Sequence, residues 1–209
     1  MNQIEILLIF FLINIFFVIN FDKIKILNLI IDKPDKERKF HKKPTALAGG
    51  IILILNITIY YLILSFNKDQ IVNEVIFSNF DEFNIFFMTC CLIFFLGFFD
   101  DKYNLTPILK FILLTLIIGL FVFLDQNISI KSLNFSFFNL NYNIEKYSFI
   151  FTLFCFLVFL NAFNMFDGIN LQASSYSMII FVYFLLTTNN SLFIIILIIF
   201  IIFFKYLNY

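Results

Sequence analysis

The chain has 209 residues, 62 % of them hydrophobic and 13 % charged, and its formal net charge is zero. An ordinary soluble domain is about half apolar and about a quarter charged, so this composition excludes that class. With no net charge there is also no global field to attract nucleic acid.

The apolar residues fall in long runs, and a helix of about 17–25 apolar residues crosses a bilayer. The expected fold class is an all-α polytopic membrane protein, organised as a single transmembrane domain over 1–209. Cys90, Cys91 and Cys155 all lie inside apolar runs and show no C-x-x-C spacing. They read as buried apolar fillers, neither zinc ligands nor a disulfide framework. The first run has no basic residue ahead of it and no small-residue cleavage pattern, so it reads as a span and not as a removed signal peptide.

In chain order, span one is Ile4 to Phe21, interrupted by Asn14 and Asn20. A charged loop follows from Asp22 to Pro44. Span two runs from about Leu47 to Phe66, and the polar stretch Asn67 to Glu82 has room for an interfacial helix. Span three is Phe83 to Phe99, after which a short loop carries Asp100 and Asp101. Span four is Ile108 to Leu124. Asp125 to Lys146 alternates polar and apolar residues, which predicts a small β-hairpin near 127–146 outside the bilayer. Span five covers Tyr147 to about Leu160 and is followed by the polar stretch Asn161 to Gln172. Span six reaches Leu186, and span seven is Leu192 to Phe204.

Lys and Arg concentrate in the loops after spans one, three, five and seven, from Lys23 to Lys43 and at Lys102, Lys110 and Lys205. The opposite loops carry only Lys68, Lys131 and Lys146. Basic loops stay cytoplasmic, so seven spans place the N-terminus outside and the C-terminus inside. All three prolines and most of the glycines fall on the inner side, where special backbone geometry suits a site.

Three polar clusters share that inner face. The first runs from Asp32 to Thr45 and includes Lys39 and His41, with Gly49 and Gly50 just beyond. Its ammonium groups suit phosphate, and two glycines at a helix start let an anion approach backbone N–H groups. The same cations also suffice to fix topology and to touch anionic lipid. The second cluster is Asp100-Asp101-Lys102-Tyr103-Asn104, with Lys110 a turn into span four. Adjacent aspartates either mark the meeting of helix and water or face a polar cavity. Lys110 either snorkels or points inward at a phosphate. The third cluster places Asn161, Asn164, Asp167 and Asn170 at every third position. Such oxygen donors suit a hard cation such as Mg²⁺, and equally suit hydrogen bonding between helices.

Together these clusters resemble the polyprenyl-phosphate N-acetylhexosamine-phosphate transferases. This family includes the undecaprenyl-phosphate sugar-phosphate transferases and the phospho-MurNAc-pentapeptide transferase. Asp32-x-Pro34, Arg38-Lys39-x-His41, Pro44-Thr45 and Gly49-Gly50 match its first cytoplasmic loop. Gly97-x-x-Asp100-Asp101 with Asn104-Leu105 matches its aspartate pair, and Lys110 matches a lysine of that motif. Asn161-Ala162-x-Asn164-x-x-Asp167-Gly168 matches its third motif.

The resemblance implies a reaction in which a polyprenyl phosphate, such as undecaprenyl phosphate, attacks the β-phosphate of a UDP-N-acetylhexosamine. UMP leaves and a polyprenyl-diphosphate-sugar forms, for use in cell-envelope glycans. It implies catalytic roles for Asp100 and Asp101, and Asn164 as a ligand of Mg²⁺, with Mn²⁺ as a substitute. It implies substrate binding by Lys39, His41, Thr45, Asn104, Lys110, Asn161, Asp167 and Asn170. The implied location is a bacterial inner membrane with the site on the cytoplasmic face, in contact with membrane lipid and without nucleic acid. The family continues into a Gly-Asp-x-Gly-Ser loop that supplies a further Mg²⁺ ligand. The 209 residues end at Tyr209, about where that loop begins, so the site within them is expected to be incomplete. The alternatives are an inactive remnant of the same family and, further off, an ion-coupled transporter. Transporters usually show internal repeats and midplane polar residues, and neither is visible here.

Overall fold

The structure is a computed structural model. It describes residues 2–20, 31–32, 45–46, 48–66, 76–135, 137, 140–166, 172–188 and 191–208. The fold has two compact units, Met1–Phe80 with Ile169–Tyr209, and Asp81–Gly168.

The first unit holds helices α1 (Gln3–Ile19), α2 (Ala48–Phe66), α6 (Gln172–Thr187) and α7 (Leu192–Asn208). α7 packs along α1 and α6 and touches α2. It is apolar almost all round, as suits a central helix, and Phe193, Ile194, Ile196 and Phe200 are buried. Phe10, Tyr60, Phe193 and Phe77 form a chain of ring contacts with centroids 5.4–6.2 Å apart. Where lipid replaces water as the competitor, such contacts stabilise by close packing and ring geometry more than by the hydrophobic effect.

The two amides that interrupt α1 and α2 find each other. Asn14 donates to the Asn56 side-chain oxygen at 2.9 Å, and Asn56 donates back at 3.4 Å. Each amide also donates to its own helix, to Phe10 O and Ile52 O, both at 2.8 Å. Both side chains are fully buried, and the pair fixes the register of the two helices.

A two-residue antiparallel ladder lies between α1 and α2 in the chain, where the sequence suggests only a charged loop. In it Ile31 (β1, Ile31–Asp32) faces Ala46 (β2, Thr45–Ala46), and Asp32 faces Thr45. Period-two patterning cannot show in two residues, so the sequence gives no sign of it.

The second unit contains α3 (Phe80–Tyr103), α4 (Pro107–Leu124), the hairpin β3 (Ser132–Phe135) and β4 (Leu140–Asn143), and α5 (Ser148–Phe166). α3 begins three residues earlier than its apolar run, because Asp81 and Glu82 suit the positive end of the helix dipole. α4 leaves its far end through Asp125, which caps the next short turn by accepting from Asn127 N at 3.1 Å. Asn127 then donates to Glu82 at 2.8 Å, so the start of α3 lies beside the end of α4 and the two helices run antiparallel.

The predicted hairpin is present, with Ser132 opposite Asn143 and Phe135 opposite Leu140. It is shorter than the 127–146 reading, because 3-10 turns at Gln126–Ile128 and Glu145–Tyr147 take up the flanks. Ile130 N donates to the buried Thr152 hydroxyl at 2.9 Å and anchors the hairpin base to α5. α5 returns along α4.

α2, α3, α4 and α5 with its preceding turn are long and apolar enough to cross a membrane. α1, α6 and α7 are apolar helices of 16 or 17 residues, at the short limit for a span.

Candidate active site

Asp100 and Asp101 sit in the last turn of α3, not in a loop as the end of the apolar run suggests. Nothing in Phe99–Tyr103 breaks a helix. Termination comes at Asn104, whose N–H bonds to Asp100 O at 2.8 Å while its own φ is +49°. Asn is one of the few non-glycine residues that tolerates this left-handed cap, so Asn104 has a structural role whatever else it does. Thr106 then caps α4 by accepting from Leu109 N at 3.4 Å, and Pro107 takes the first helical position, where its missing N–H is no loss.

Two carboxylates at the C-terminal end of a helix face the negative end of its dipole, which costs about 0.3–1 kcal/mol each at an exposed site. Lys110 offsets this for one of them. Its Nζ lies 2.5 Å from Asp100 Oδ2, across the Asn104–Thr106 connection. The Asp100 side chain is 22 % exposed and that of Lys110 38 %, so the pair is half-buried at the end of the bundle. Asp101 is exposed on the neighbouring helical direction. Lys102 Nζ lies 5.2 Å from the centre of the Tyr103 ring and brings a second cation to the same turn.

α5 continues through Phe166 and carries Asn161 and Asn164 in its last turns, again in helix where the polar stretch suggests a break. Asn161 Nδ2 donates to Leu157 O at 2.8 Å, so the amide nitrogen is held by the helix and Oδ1 is the end turned from it. Asn164 is exposed.

Connectivity places these groups together. α3 ends beside the start of α4, the hairpin closes the far end, and α5 runs back along α4. Asp100, Asp101, Lys110, Asn161 and Asn164 therefore share one end of the Asp81–Gly168 unit. Among them the structure shows direct contact for Asp100 and Lys110. Among the described residues no group of three or more His, Cys, Asp or Glu converges as a metal site. The donor set at this end is nevertheless of the right kind for Mg²⁺, since it offers carboxylate and carboxamide oxygens.

Lys39, His41, Asp167 and Asn170 lie outside the described residues. Thr45 is in β2, opposite Asp32 in the ladder, and its side chain is outside the description. Gly49, in the first turn of α2, has a tighter reason to be glycine than ligand approach, because a Cβ there would run into the Phe204 ring of α7. Lys102 and Tyr103 belong to the second polar cluster, which gives them no role of their own, and the structure brings them together at the end of α3.

Between α3 and α4 lies an open apolar groove of about 390 Å³. Leu92, Phe95, Leu96 and Phe99 line it from α3, Leu113 and Ile117 line it from α4, and Tyr103 and Leu105 close it near the connection.

A search of curated proteins and a search of solved structures each returned no match. The family model for glycosyl transferase family 4 matches residues 83–209. That range is well over half of the chain and takes in the aspartate pair, Lys110 and the Asn161–Gly168 motif. Its apolar helices make the protein membrane-integral, and the chain belongs to glycosyl transferase family 4.

Proposed function

We propose that the protein transfers a sugar 1-phosphate from a UDP-N-acetylhexosamine to a membrane polyprenyl phosphate, releasing UMP. The observation that carries this reading is the Asp100–Lys110 pair at the same bundle end as Asn161 and Asn164. Nucleophile and leaving group are both anionic, so the reaction needs charge neutralisation and in-line positioning.

Lys110 supplies a compact positive charge for phosphate oxygens. Asp100 holds that ammonium in place and limits its swing. Asp101, on the adjacent helical direction, is positioned to take the proton of the acceptor phosphate. Asn164 offers a carboxamide oxygen that would hold Mg²⁺, and Asn161, one turn earlier on α5, would bind substrate. When bound, that ion supplies Lewis-acid neutralisation of the diphosphate. The family resemblance assigns substrate binding to Asp167, Asn170, Lys39, His41 and Thr45 as well. In this reading that end of the Asp81–Gly168 unit faces the cytoplasm, where a soluble nucleotide meets a lipid acceptor.

The test is conversion of radiolabelled UDP-N-acetylglucosamine in membranes by the chain extended through the family's Gly-Asp-x-Gly-Ser loop. The reading expects label in organic-extractable lipid and release of UMP, both dependent on added polyprenyl phosphate and divalent cation. Label that stays aqueous with all components present contradicts it.

A further inference from the structure

We propose that the β3–β4 hairpin is a membrane-interface anchor, whose one apolar face lies in the lipid headgroup layer at the end of the Asp81–Gly168 unit opposite Asp100. This goes beyond the transfer reading and does not depend on it.

The register divides the hairpin by chemistry. Leu133 stands opposite Tyr142 and Phe135 opposite Leu140, so these four side chains share one face. Ser132 stands opposite Asn143 and Asn134 opposite Asn141, and these four make the other face. One face is wholly apolar or aromatic, and the other is small, polar and uncharged. The Phe135 and Tyr142 rings meet edge to face across the strands at 6.0 Å, which joins the apolar face into one surface.

That face is open among the described residues. Phe135 is 48 % exposed and Tyr142 54 %, and Leu140 is exposed as well. Phe137, in the turn beyond them, is 92 % exposed. A two-stranded hairpin is at best marginally stable in water unless its apolar face packs on something. Here the base is tied down, by Ile130 N donating to Thr152 of α5 and by Ile144 N donating to Lys131 O at 2.9 Å. Neither bond covers the face.

Position and charge select lipid as the cover. α4 delivers the chain at Leu124 and α5 takes it back at Ser148, so the hairpin stands at the mouth of two helices long enough to span. Phe123, Leu124, Tyr147 and Ile150 at those ends are also exposed, and the hairpin face continues their apolar surface. Aromatic rings with a polar tip are favoured at that depth, and Tyr142 and Tyr147 each carry one. Hairpins that live in water guard their edges with charge. From Ser132 to Ile144 there is no charged residue. Lys131 and Lys146 flank that stretch, with Glu145 beside the second, and an ammonium at this level suits lipid phosphate.

The chain contains no tryptophan, so a single introduced one reports its own surroundings. The experiment uses the full chain in phosphatidylcholine vesicles as Phe135→Trp, Tyr142→Trp and Asn141→Trp. The quenchers are iodide, present on both sides of the membrane, and phosphatidylcholine brominated either near the glycerol or near the chain ends. An interfacial anchor sits about 5–10 Å into the headgroup boundary, so iodide should quench Phe135→Trp and Tyr142→Trp at least about threefold less than Asn141→Trp. Both should emit to the blue of Asn141→Trp and respond more to the shallow bromines than to the deep ones. Each replaces one exposed aromatic by another from a different strand, so either alone decides the question if the other folds poorly. Phe111→Trp, exposed on α4, should be quenched by bromolipid and shows that the protein has inserted.

Equal iodide quenching of the three hairpin variants shows a face turned to water and overturns the proposal. Protection from iodide without bromolipid quenching shows a protein cover, from another segment or a second copy, and overturns it too. Stronger quenching by deep bromines than by shallow ones places the face in the hydrocarbon core, which also contradicts an interfacial anchor. None of these results bears on sugar-phosphate transfer, which is assayed separately.

Discussion

Lys110 and Asp100 meet at 2.5 Å across three residues of connection, one from the first turn of α4 and the other from the last turn of α3. As a half-exposed pair its net contribution to stability is small, about 0–1 kcal/mol. Its value lies in placing an ammonium at a helix end that otherwise carries two carboxylates. The account expects Asp100→Asn and Lys110→Met each to remove most transfer activity while shifting stability by less than about 1 kcal/mol. Because the two residues act as a unit, the double variant should lose little more than either single one, a coupling of about 0.5–3 kcal/mol in a double-mutant cycle. Fully additive losses would show that they act independently.

The buried amides of Asn14 and Asn56 give a separate test of how the first unit is held. Asn14→Leu leaves the Asn56 amide without its cross-helix partner, at a cost of about 0.6–2 kcal/mol. The double change Asn14→Leu with Asn56→Leu removes both polar groups and should recover much of that loss. Reversible unfolding in mixed micelles measures both. A double variant worse than the sum of the singles would contradict the pairing.

Two glycines from the motifs should behave oppositely. Gly49→Ala puts a methyl group into the Phe204 ring, and overpacking of this kind costs about 1–3 kcal/mol. Phe204→Leu should partly rescue it. Gly97 lies in α3 with nothing within 4 Å of where a Cβ would stand. Gly97→Ala should therefore stabilise the helix by up to about 1 kcal/mol. Thermal unfolding in detergent separates the two cases, and a destabilised Gly97→Ala would place an unseen neighbour at that face.

Asp101 and Asn127 occupy opposite ends of the α3–α4 pair, since Asn127 bonds to Glu82 at the start of a helix that Asp101 nearly ends. A 24-residue helix is about 36 Å long, enough to separate the two faces of a bilayer. The positive-inside reading of the loops expects an impermeant thiol reagent added outside to label a cysteine at Asn141 and to miss one at Asp101. The reverse pattern would invert the orientation and move the site to the outer face.

Much of this arrangement is legible in the sequence. Among the described residues the apolar runs give the long helices, with the ends of α3 and α5 furthest out, and the alternating texture gives the hairpin. The helix ends are the less legible part. α3 and α5 run on through Asp100–Asp101 and Asn161–Asn164, because polar residues do not stop a helix unless the backbone is capped or broken. The stop after α3 is written in Asn104, a residue whose motif role draws the eye away from its backbone role. The Asn14–Asn56 pair is half legible. A lone amide in an apolar run announces a buried partner, but which amide it meets depends on how α1 and α2 pack. The Asp100–Lys110 contact needs the tight connection between α3 and α4, which spacing alone does not reveal.

The central claim is that the bundle end carrying Asp100, Lys110, Asn161 and Asn164 is the centre of sugar-phosphate transfer. The most direct measurement is Mg²⁺-dependent transfer of radiolabel from UDP-N-acetylglucosamine to polyprenyl phosphate by the chain extended through the family's Gly-Asp-x-Gly-Ser loop, with and without Asn164→Ala. An amide oxygen that holds the cation should show its loss as a raised Mg²⁺ requirement, by about tenfold or more, with activity partly recovered at high Mg²⁺. The same turnover and the same Mg²⁺ dependence in Asn164→Ala as in the wild-type chain would contradict the account.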